Sequence, residues 1–381
     1  MKEIPLCRPS ITEAEISKVS EVLRSGWLAH GPCNQKFEED FANFIGVPYA
    51  LTMNSCTSAL EVALQINNIR GEVIVPSFTW VSTANVVKLS GGTPVFCEVD
   101  LSSRNVSASN IEPHINSRTE AVIVVHFGGQ PCNMSEIVSL CDKHGLLLIE
   151  DSAETIGGTW NNKQAGSFSH GCFSFFPTKN LTTGEGGMLT LHDEQLLRKA
   201  KRLIAHGIEA TTYDRDGSNR PWERSAYDVG HNFRMSNPLA AIGIEQLKRL
   251  PWMNKRRQDI AKFYNNNIER TCPNIVIPKV VQGASHVYQM YTVLADEASR
   301  NEIVLSLREK GIGASVHFDP PVHMQPAYSS LEGKGIALPI TEEISKRIIT
   351  LPIYPDMKLD DAEYVVNCLA NIDTTKFDKY K

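Results

Sequence analysis

The sequence has no apolar stretch that approaches the length of a membrane-spanning helix, and its first ten residues lack the apolar core of a secretory signal. It also has no extended run of lysine or arginine, and its formal net charge is −5 with a pI near 6.1. These absences argue against a membrane protein and against nucleic acid or an anionic membrane as the main partner. We therefore expect a soluble, cytoplasmic protein.

Paired cysteines and a dinucleotide-binding fingerprint are also missing. The nine cysteines stand singly, without a CxxC pair, and their number is odd, which fits reduced thiols in a cytoplasm. No GxGxxG motif follows the first strand-like run, which counts against a nicotinamide enzyme. The chain has 381 residues, 42% of them hydrophobic and 21% charged, which is typical of a globular protein with a large and a smaller domain.

Between residues 47 and 192, short β-branched runs alternate with stretches in which apolar residues recur at helical spacing. This alternation predicts an α/β domain whose central sheet is mostly parallel and flanked by helices. The predicted strands are 49–53, 72–75, 94–98, 121–126, 146–150, 172–176 and 188–191. The predicted helices are 58–65, 83–89, 133–144 and 194–205.

The C-terminal third predicts a second, smaller α/β domain. Residues 238–267 have a long helical pattern, which we expect to be interrupted near Pro251. The segments that follow alternate between strand-like and helix-like character, at 289–294, 300–310 and 314–317. We predict a large domain over 1–249 and a small domain over 250–381, with a functional loop of open role at 207–228.

A lysine in a strand-to-turn junction is the first candidate for chemistry. The sequence SFFPTK at 174–179 is followed by GEGG at 184–187, so Lys179 lies at a strand end beside aromatic residues. Such surroundings disfavour the ammonium form and release the amine as a nucleophile for a carbonyl cofactor. Taken alone, a lysine is usually a solvated surface charge, and three further segments change that interpretation.

Three further segments predict a site with this lysine. Asp151 ends an apolar strand, where it can hold the ring nitrogen of such a cofactor protonated, although it could simply cap a strand-to-helix junction. Cys56 and Thr57 begin a helix whose free N–H groups can hold a phosphate, with Ser174 as a further donor. Trp80 can stack on the ring or belong to the core. All follow strands of one sheet, at the edge where ligands of α/β sheets bind.

These residues and their order resemble the DegT/DnrJ/EryC1/StrS family of sugar aminotransferases, which are fold type I enzymes that use pyridoxal 5′-phosphate (PLP). The resemblance extends over nearly the whole chain. Its specific motifs are SGWLAHGP at 25–32, PSFTW at 76–80, EDSAE at 150–154, SFFPTK at 174–179, GEGG at 184–187, GHNFRMS at 230–236 and VHFDPPVH at 316–323.

The resemblance implies that Lys179 carries PLP as a Schiff base and shuttles protons, and that Asp151 contacts the pyridine nitrogen. It implies that Ser174, Cys56 and Thr57 bind the phosphate and that Trp80 stacks on the ring. It further implies a homodimer with shared active sites, in which Asn232 contacts the phosphate bound to the partner subunit.

Glu154 stands where many relatives have glutamine or histidine near the 3-hydroxyl of the cofactor. A charged carboxylate would repel a phenolate there, so we expect Glu154 to be protonated or turned towards hydrogen-bond donors. A related branch that performs 3-dehydration has histidine in place of the lysine. Because Lys179 is present, transamination is favoured over dehydration.

The implied reaction moves an amino group from L-glutamate to a nucleotide-linked keto sugar, an NDP-4-keto-6-deoxyhexose above all, for surface polysaccharide or glycan synthesis. The alternatives are a 3-keto-sugar or cyclitol aminotransferase and a non-enzymatic PLP-binding sensor or regulator. The residues that we predict to bind substrate are Gly26, Trp27, His30, His317 and His323. We expect no metal at His317, Asp319 and His323, because prolines intervene and no further ligands cluster with them.

Overall fold

The fold is described by a computed structural model that covers residues 2–209, 222, 224–328 and 336–372. Most of the predicted loop at 207–228 lies outside these described residues, and so do the last residues of the predicted small domain. Within the described part of the chain, no helix is long and apolar enough to cross a membrane.

Six of the helices in the described residues lie within a few residues of the predicted helical segments, and the other five have no predicted counterpart. In chain order, the helices are α1 (Glu13–Ser25), α2 (Pro32–Ile45), α3 (Cys56–Ile66), α4 (Ser82–Leu89), α5 (Ala108–Ile111), α6 (Met134–His144), α7 (Glu194–Leu203), α8 (Asn237–Thr271), α9 (Glu297–Glu309), α10 (Pro339–Arg347) and α11 (Leu359–Ala370). Their ends carry ordinary stop and start signals. Thr12 and Glu15 form a capping box at α1, and Gly145 closes α6 with a left-handed φ of 65°.

Eight of the strands in the described residues lie within a few residues of predicted ones, and the other four have no predicted counterpart. In chain order, the strands are β1 (Tyr49–Met53), β2 (Glu72–Pro76), β3 (Thr93–Cys97), β4 (Thr119–Val125), β5 (Leu147–Asp151), β6 (Thr159–Trp160), β7 (Lys163–Gln164), β8 (His170–Ser174), β9 (Gly187–Leu191), β10 (Ala284–Ser285), β11 (Tyr291–Leu294) and β12 (Ile348–Leu351). The run predicted at 314–317 forms only an isolated bridge, between Ser315 and Thr350.

Seven strands form the central sheet in the order β1-β9-β8-β5-β4-β2-β3. Neighbours from β8 to β3 pair in parallel, whereas β9 runs antiparallel to both β1 and β8. The predicted α/β fold with a mostly parallel sheet is therefore confirmed. Because β1 and β8 both oppose β9, the carboxyl ends of β1, β2, β4, β5 and β8 lie at one edge of the sheet.

Buried apolar residues cover both faces of this sheet. On one face, α3 packs its fully buried Val62 and Leu64 with residues of β2, β8 and β9. On the other, Phe37 and Phe41 of α2 contact Phe173 and Phe175 with ring centroids 4.9 to 5.7 Å apart. Because both faces of these strands are buried, their sequences are largely continuous apolar runs and do not alternate between apolar and polar residues.

A second hydrophobic cluster joins the C-terminal half of α8 to α9, α11 and the antiparallel pair β11 and β12. Ile4 belongs to this cluster and forms a bridge with Ile312, so the first residues of the chain pack on its C-terminal part. The division into domains at residues 249 and 250 stays a prediction, and that boundary falls inside the single helix α8.

The expected interruption of the long helix near Pro251 is wrong, because α8 runs through it over 35 residues. Proline removes one N–H donor from a helix, which costs a hydrogen bond but does not end the helix if packing holds both sides. Here Leu250 and Met253 are buried, while Pro251 itself lies on the exposed side. The apolar contacts of the neighbouring residues therefore hold the helix together.

Candidate active site

A cavity of about 460 Å³ opens at the carboxyl ends of the parallel strands. Strands β1, β2, β5 and β8 contribute side chains from their last residue or from the residues just after it. The predicted cofactor residues that line the cavity are Cys56, Thr57, Trp80, Asp151, Glu154, Ser174 and Lys179. Residues that are up to 123 positions apart in the sequence thus meet in one space, as the shared sheet edge predicts.

Lys179 lies inside this cavity and is not a solvated surface charge. Its backbone N–H donates to the Phe176 carbonyl at 2.9 Å, which closes a tight turn directly after β8. Its side chain is 16% exposed, and Nζ lies 3.3 Å from Oε1 of Glu154. The turn after it is completed by Gly184, whose φ of 86° favours glycine. The strand and turn therefore hold an amine at the cavity wall.

Glu154 is turned towards donors, in agreement with one of the two expectations for this position. Its Oε2 accepts a hydrogen bond of 2.7 Å from the Gly128 backbone N–H, and its Oε1 accepts from Lys179. The carboxylate therefore bridges the lysine and the loop after β4.

Asp151 is a buried carboxylate that forms no ion pair with any described residue. Its Oδ2 accepts from the Thr83 hydroxyl at 2.9 Å, and Oδ1 accepts from the Ala153 N–H at 3.2 Å. Burial raises the pKa of Asp151, although these two hydrogen bonds act in the opposite direction. A cation beside it would stabilise the charged form. A protonated pyridine nitrogen is such a cation, so this residue fits the ring of PLP.

The first turn of α3 offers a place for a phosphate. Ser55 caps the helix by accepting from the Ser58 N–H at 3.1 Å, which leaves the N–H groups of the residues between them directed at the cavity edge. Ser174 and Gly186 line the same cavity. Gly187 allows this close approach, because a Cβ there would lie 2.3 Å from the Ser55 carbonyl carbon. The residues present therefore fit both the ring and the phosphate group of PLP.

Trp80 contributes an aromatic surface at the mouth of the cavity. It is 62% exposed, and its ring centroid lies 6.2 Å from that of Phe318. A large aromatic that remains this exposed beside a cavity is not part of the core. Its predicted stacking role stays a prediction.

Among the residues predicted to bind substrate, His317 lines the cavity and the others do not. His317 Nδ1 lies 2.8 Å from the Thr350 hydroxyl, and burial lowers its pKa, which favours the neutral ring. His323 is buried between Ser77 and Glu342. Trp27 Nε1 donates to the His30 carbonyl, and Gly26 ends α1. Their substrate contacts stay predictions.

Asn232 is exposed and does not line the cavity of its own chain. Its side-chain oxygen accepts from Arg234 at 2.9 Å. Its predicted contact with the cofactor of a partner subunit stays a prediction.

Thr83 and Gln289 are among the polar residues at this site that the sequence did not single out. Thr83 was assigned only to a helix, although a hydroxyl four residues after Thr79 at a helix start was a possible signal for a carboxylate partner. Gln289 was assigned only to a strand, and it lines the cavity just before β11. No sequence pattern marked it. Asp319, one of the three residues at which we expect no metal, forms an ion pair with Arg300 at 2.6 Å.

Known proteins are similar to this chain in sequence over almost its whole length. Residues 9–370 match the profile of the DegT/DnrJ/EryC1/StrS aminotransferase family. The chain is 39% identical over 378 residues to the spore coat polysaccharide biosynthesis protein SpsC of Bacillus subtilis, with 97% of each chain covered.

Two solved structures illustrate the likeness in fold. The putative sugar aminotransferase Spr1654 from Streptococcus pneumoniae, in its PMP form, has a TM-score of 0.91 and 26% identity, with 97% of this chain and 98% of that chain covered. Helicobacter pylori PseC, an aminotransferase involved in the biosynthesis of pseudoaminic acid, has a TM-score of 0.90 and 28% identity, with 99% and 100% covered.

Proposed function

Because this chain belongs to the DegT/DnrJ/EryC1/StrS aminotransferase family, we propose that it transfers an amino group from L-glutamate to a nucleotide-linked keto sugar. The observation that carries the proposal is the meeting of Lys179, Asp151 and the first turn of α3 in one cavity. An amine, a buried anion and a phosphate cradle are the three groups that a PLP-dependent transamination requires of a protein.

We further propose that the acceptor is an NDP-4-keto-6-deoxyhexose and that the product enters polysaccharide synthesis. Two similar proteins support this choice. One is named for spore coat polysaccharide biosynthesis, and the other is involved in the biosynthesis of pseudoaminic acid.

Enzymes of this family depend on PLP, and similar structures exist in PLP and PMP forms. Lys179 would hold the cofactor through its amine, Asp151 would contact the ring nitrogen, and Trp80 would cover the ring. Ser174, Cys56 and Thr57 would hold the phosphate. When bound, PLP withdraws electrons from the substrate carbon that carries the nitrogen.

Lys179 supplies the proton transfer in this proposal. Its Nζ would move a proton between the substrate carbon and C4′ of the cofactor, away from the α-carbon of the donor in the first half-reaction and towards the sugar carbon in the second. Glu154 lies 3.3 Å from Nζ and is itself held by Gly128, so it orients the amine. A free amine held this way can reach both substrates in turn.

We propose that the enzyme acts in the cytoplasm as a homodimer. The nine cysteines are all unpaired, which fits a reducing compartment. Asn232 would contribute to the cofactor site of the partner subunit, since it is exposed and lies away from the cavity of its own chain.

The decisive experiment supplies purified protein containing PLP with L-glutamate and then with a panel of nucleotide keto sugars. We expect glutamate to shift the cofactor absorbance and to release one equivalent of 2-oxoglutarate. We expect an NDP-4-keto-6-deoxyhexose to restore the first spectrum and to give an aminated product that mass spectrometry and NMR identify.

The panel also includes 3-keto sugars and keto cyclitols, which are the alternative acceptors. Amination of one of these alone would replace the proposed acceptor. A protein that keeps its spectrum with every amino donor tested would be a PLP-binding protein without transaminase activity, and the proposal would fail.

A further inference from the structure

Gln289 lies in the cavity wall, in the turn between Tyr288 and β11. It is 5% exposed, and its side-chain Nε2 donates a hydrogen bond of 2.9 Å to the backbone carbonyl of Thr178. That carbonyl can only accept a hydrogen bond, so the nitrogen of the amide must face it. The orientation of the amide is therefore fixed by its partner, and Oε1 must point the other way.

No described residue donates a hydrogen bond to Oε1 of Gln289, although this atom is buried. A buried acceptor without a donor costs about 1–3 kcal/mol. Ten buried side-chain atoms of the described residues lack a hydrogen-bond partner, and Gln289 is the only one of their residues that lines the cavity. Where one borders a binding cavity, a bound molecule can supply the missing donor. Gln289 is also among the residues that line the cavity.

Two chains of contacts fix Gln289 relative to Lys179. The first runs through Thr178, which precedes the lysine and also accepts a contact of 3.7 Å from the Cys7 thiol. The second starts at the neighbouring Met290, whose N–H donates to the Gly128 carbonyl at 3.2 Å. The N–H of Gly128 in turn donates to Glu154, which contacts Lys179. The side chain of Gln289 is therefore held in the wall of the cavity that Lys179 also lines.

We propose that Gln289 binds substrate, with its Oε1 accepting a hydrogen bond from an N–H or O–H group of the bound molecule. This inference rests on the proposed transaminase function. An ammonium group of the amino donor and a hydroxyl group of the keto sugar both offer such hydrogens. The two halves of the reaction separate these sources, because each half contains only one of the two substrates.

The test replaces Gln289 with methionine, which has nearly the same length and no hydrogen-bonding amide. Each half-reaction is followed by stopped-flow absorbance of the cofactor, first with L-glutamate and then with the keto sugar that the wild-type enzyme accepts. We expect the apparent dissociation constant of one substrate to rise about fivefold to tenfold, the effect of one lost hydrogen bond. The absorbance spectrum of the resting enzyme should not change.

Gln130→Met is the matched control. Gln130 is 2% exposed, but its Nε2 donates to the Lys279 carbonyl and its Oε1 accepts from the Val281 N–H, so both ends of its amide are used inside the protein. This variant should lose stability while both dissociation constants stay within twofold of wild type. Gln289→Asn provides a second variant if methionine prevents folding, since the shorter amide cannot reach Thr178 and a substrate together.

A rise for glutamate alone assigns the contact to the amino donor, and a rise for the keto sugar alone assigns it to a sugar hydroxyl. Equal slowing of both half-reactions with unchanged dissociation constants would mean that Gln289 only positions Thr178 and Lys179, and would overturn the inference. Unchanged constants throughout would do the same, with a water molecule satisfying Oε1. If wild-type enzyme shows no half-reaction at all, the proposed function fails instead.

Discussion

Glu150 and Asp151 are adjacent carboxylates at the end of β5, and they have different hydrogen-bond partners on the two faces of the sheet. Consecutive residues of a strand point to opposite faces. On the face away from the cavity, Glu150 is fully buried and accepts from the N–H groups of Gly166, Phe168 and Ser169 at 2.7 to 3.0 Å. It also accepts from His126 Nε2 at 3.1 Å.

Asp151, on the cavity face, accepts from the Thr83 hydroxyl and the Ala153 N–H, contacts the Cys56 thiol at 3.9 Å, and has no ion pair among the described residues. Gln130 and Gln289 show the same contrast, since the first uses both ends of its amide inside the protein and the second leaves its oxygen unused. Burial is nearly equal in both pairs, so burial does not separate structural from functional groups. Within each pair, the two residues differ in the hydrogen-bond partners that the folded chain gives them.

Lys179→Ala gives the largest expected effect. Because no other described lysine lines the cavity, we expect turnover to fall at least about a thousandfold while the melting temperature changes little. Borohydride reduction followed by peptide mapping should label position 179 in the wild type only. Lys143→Ala is the control, since that side chain is 63% exposed and pairs with Glu112 on the surface. Retained turnover in Lys179→Ala would remove the basis of the site.

Asp151→Asn should lower turnover about a hundredfold through weaker stabilisation of the ring nitrogen. It should leave stability unchanged or raise it, because a buried carboxylate without a cation partner is replaced by a neutral amide. Steady-state kinetics and thermal unfolding of the cofactor-free protein measure the two effects. A strongly destabilised variant would show that Asp151 serves the fold as Glu150 does.

Glu150→Gln should produce the opposite result. The new amide NH₂ would face N–H donors, so we expect a loss of about 2–4 kcal/mol in the free energy of unfolding. Turnover per folded molecule should fall less than tenfold. Urea unfolding and kinetics on the folded fraction check this. A stable but inactive variant would contradict the distinction between the two faces.

Asn232→Ala has the smallest expected effect. If this exposed residue contacts the cofactor of the partner subunit, its loss removes one hydrogen bond and should weaken PLP retention about threefold to tenfold. Equilibrium dialysis of PLP measures it, with analytical ultracentrifugation to verify that the dimer persists. An unchanged affinity would argue against a shared site.

Much of the fold was determined by sequence pattern alone. Strands such as 49–53 are largely apolar because both faces of the sheet are covered. Helix starts are determined locally where a residue such as Thr12 caps the first turn with its side chain. The positions of Lys179, Asp151 and Cys56 in one cavity were predictable. Each lies at or after the end of a strand, and the carboxyl ends of parallel strands meet at one edge of the sheet, where ligands bind. The continuity of α8 through Pro251 was not, since it depends on side chains packed beside the proline.

Only the tertiary structure decided how many hydrogen-bond partners each polar group finds. Glu150 and Asp151 are equivalent carboxylates in the sequence, and nothing local says that three loop N–H groups and a histidine will converge on the first alone. Gln289 likewise has no motif, and its importance comes from a turn that places it against Thr178. Hydrogen-bond partners come from distant segments, so the number that each group finds is fixed only when the chain has folded.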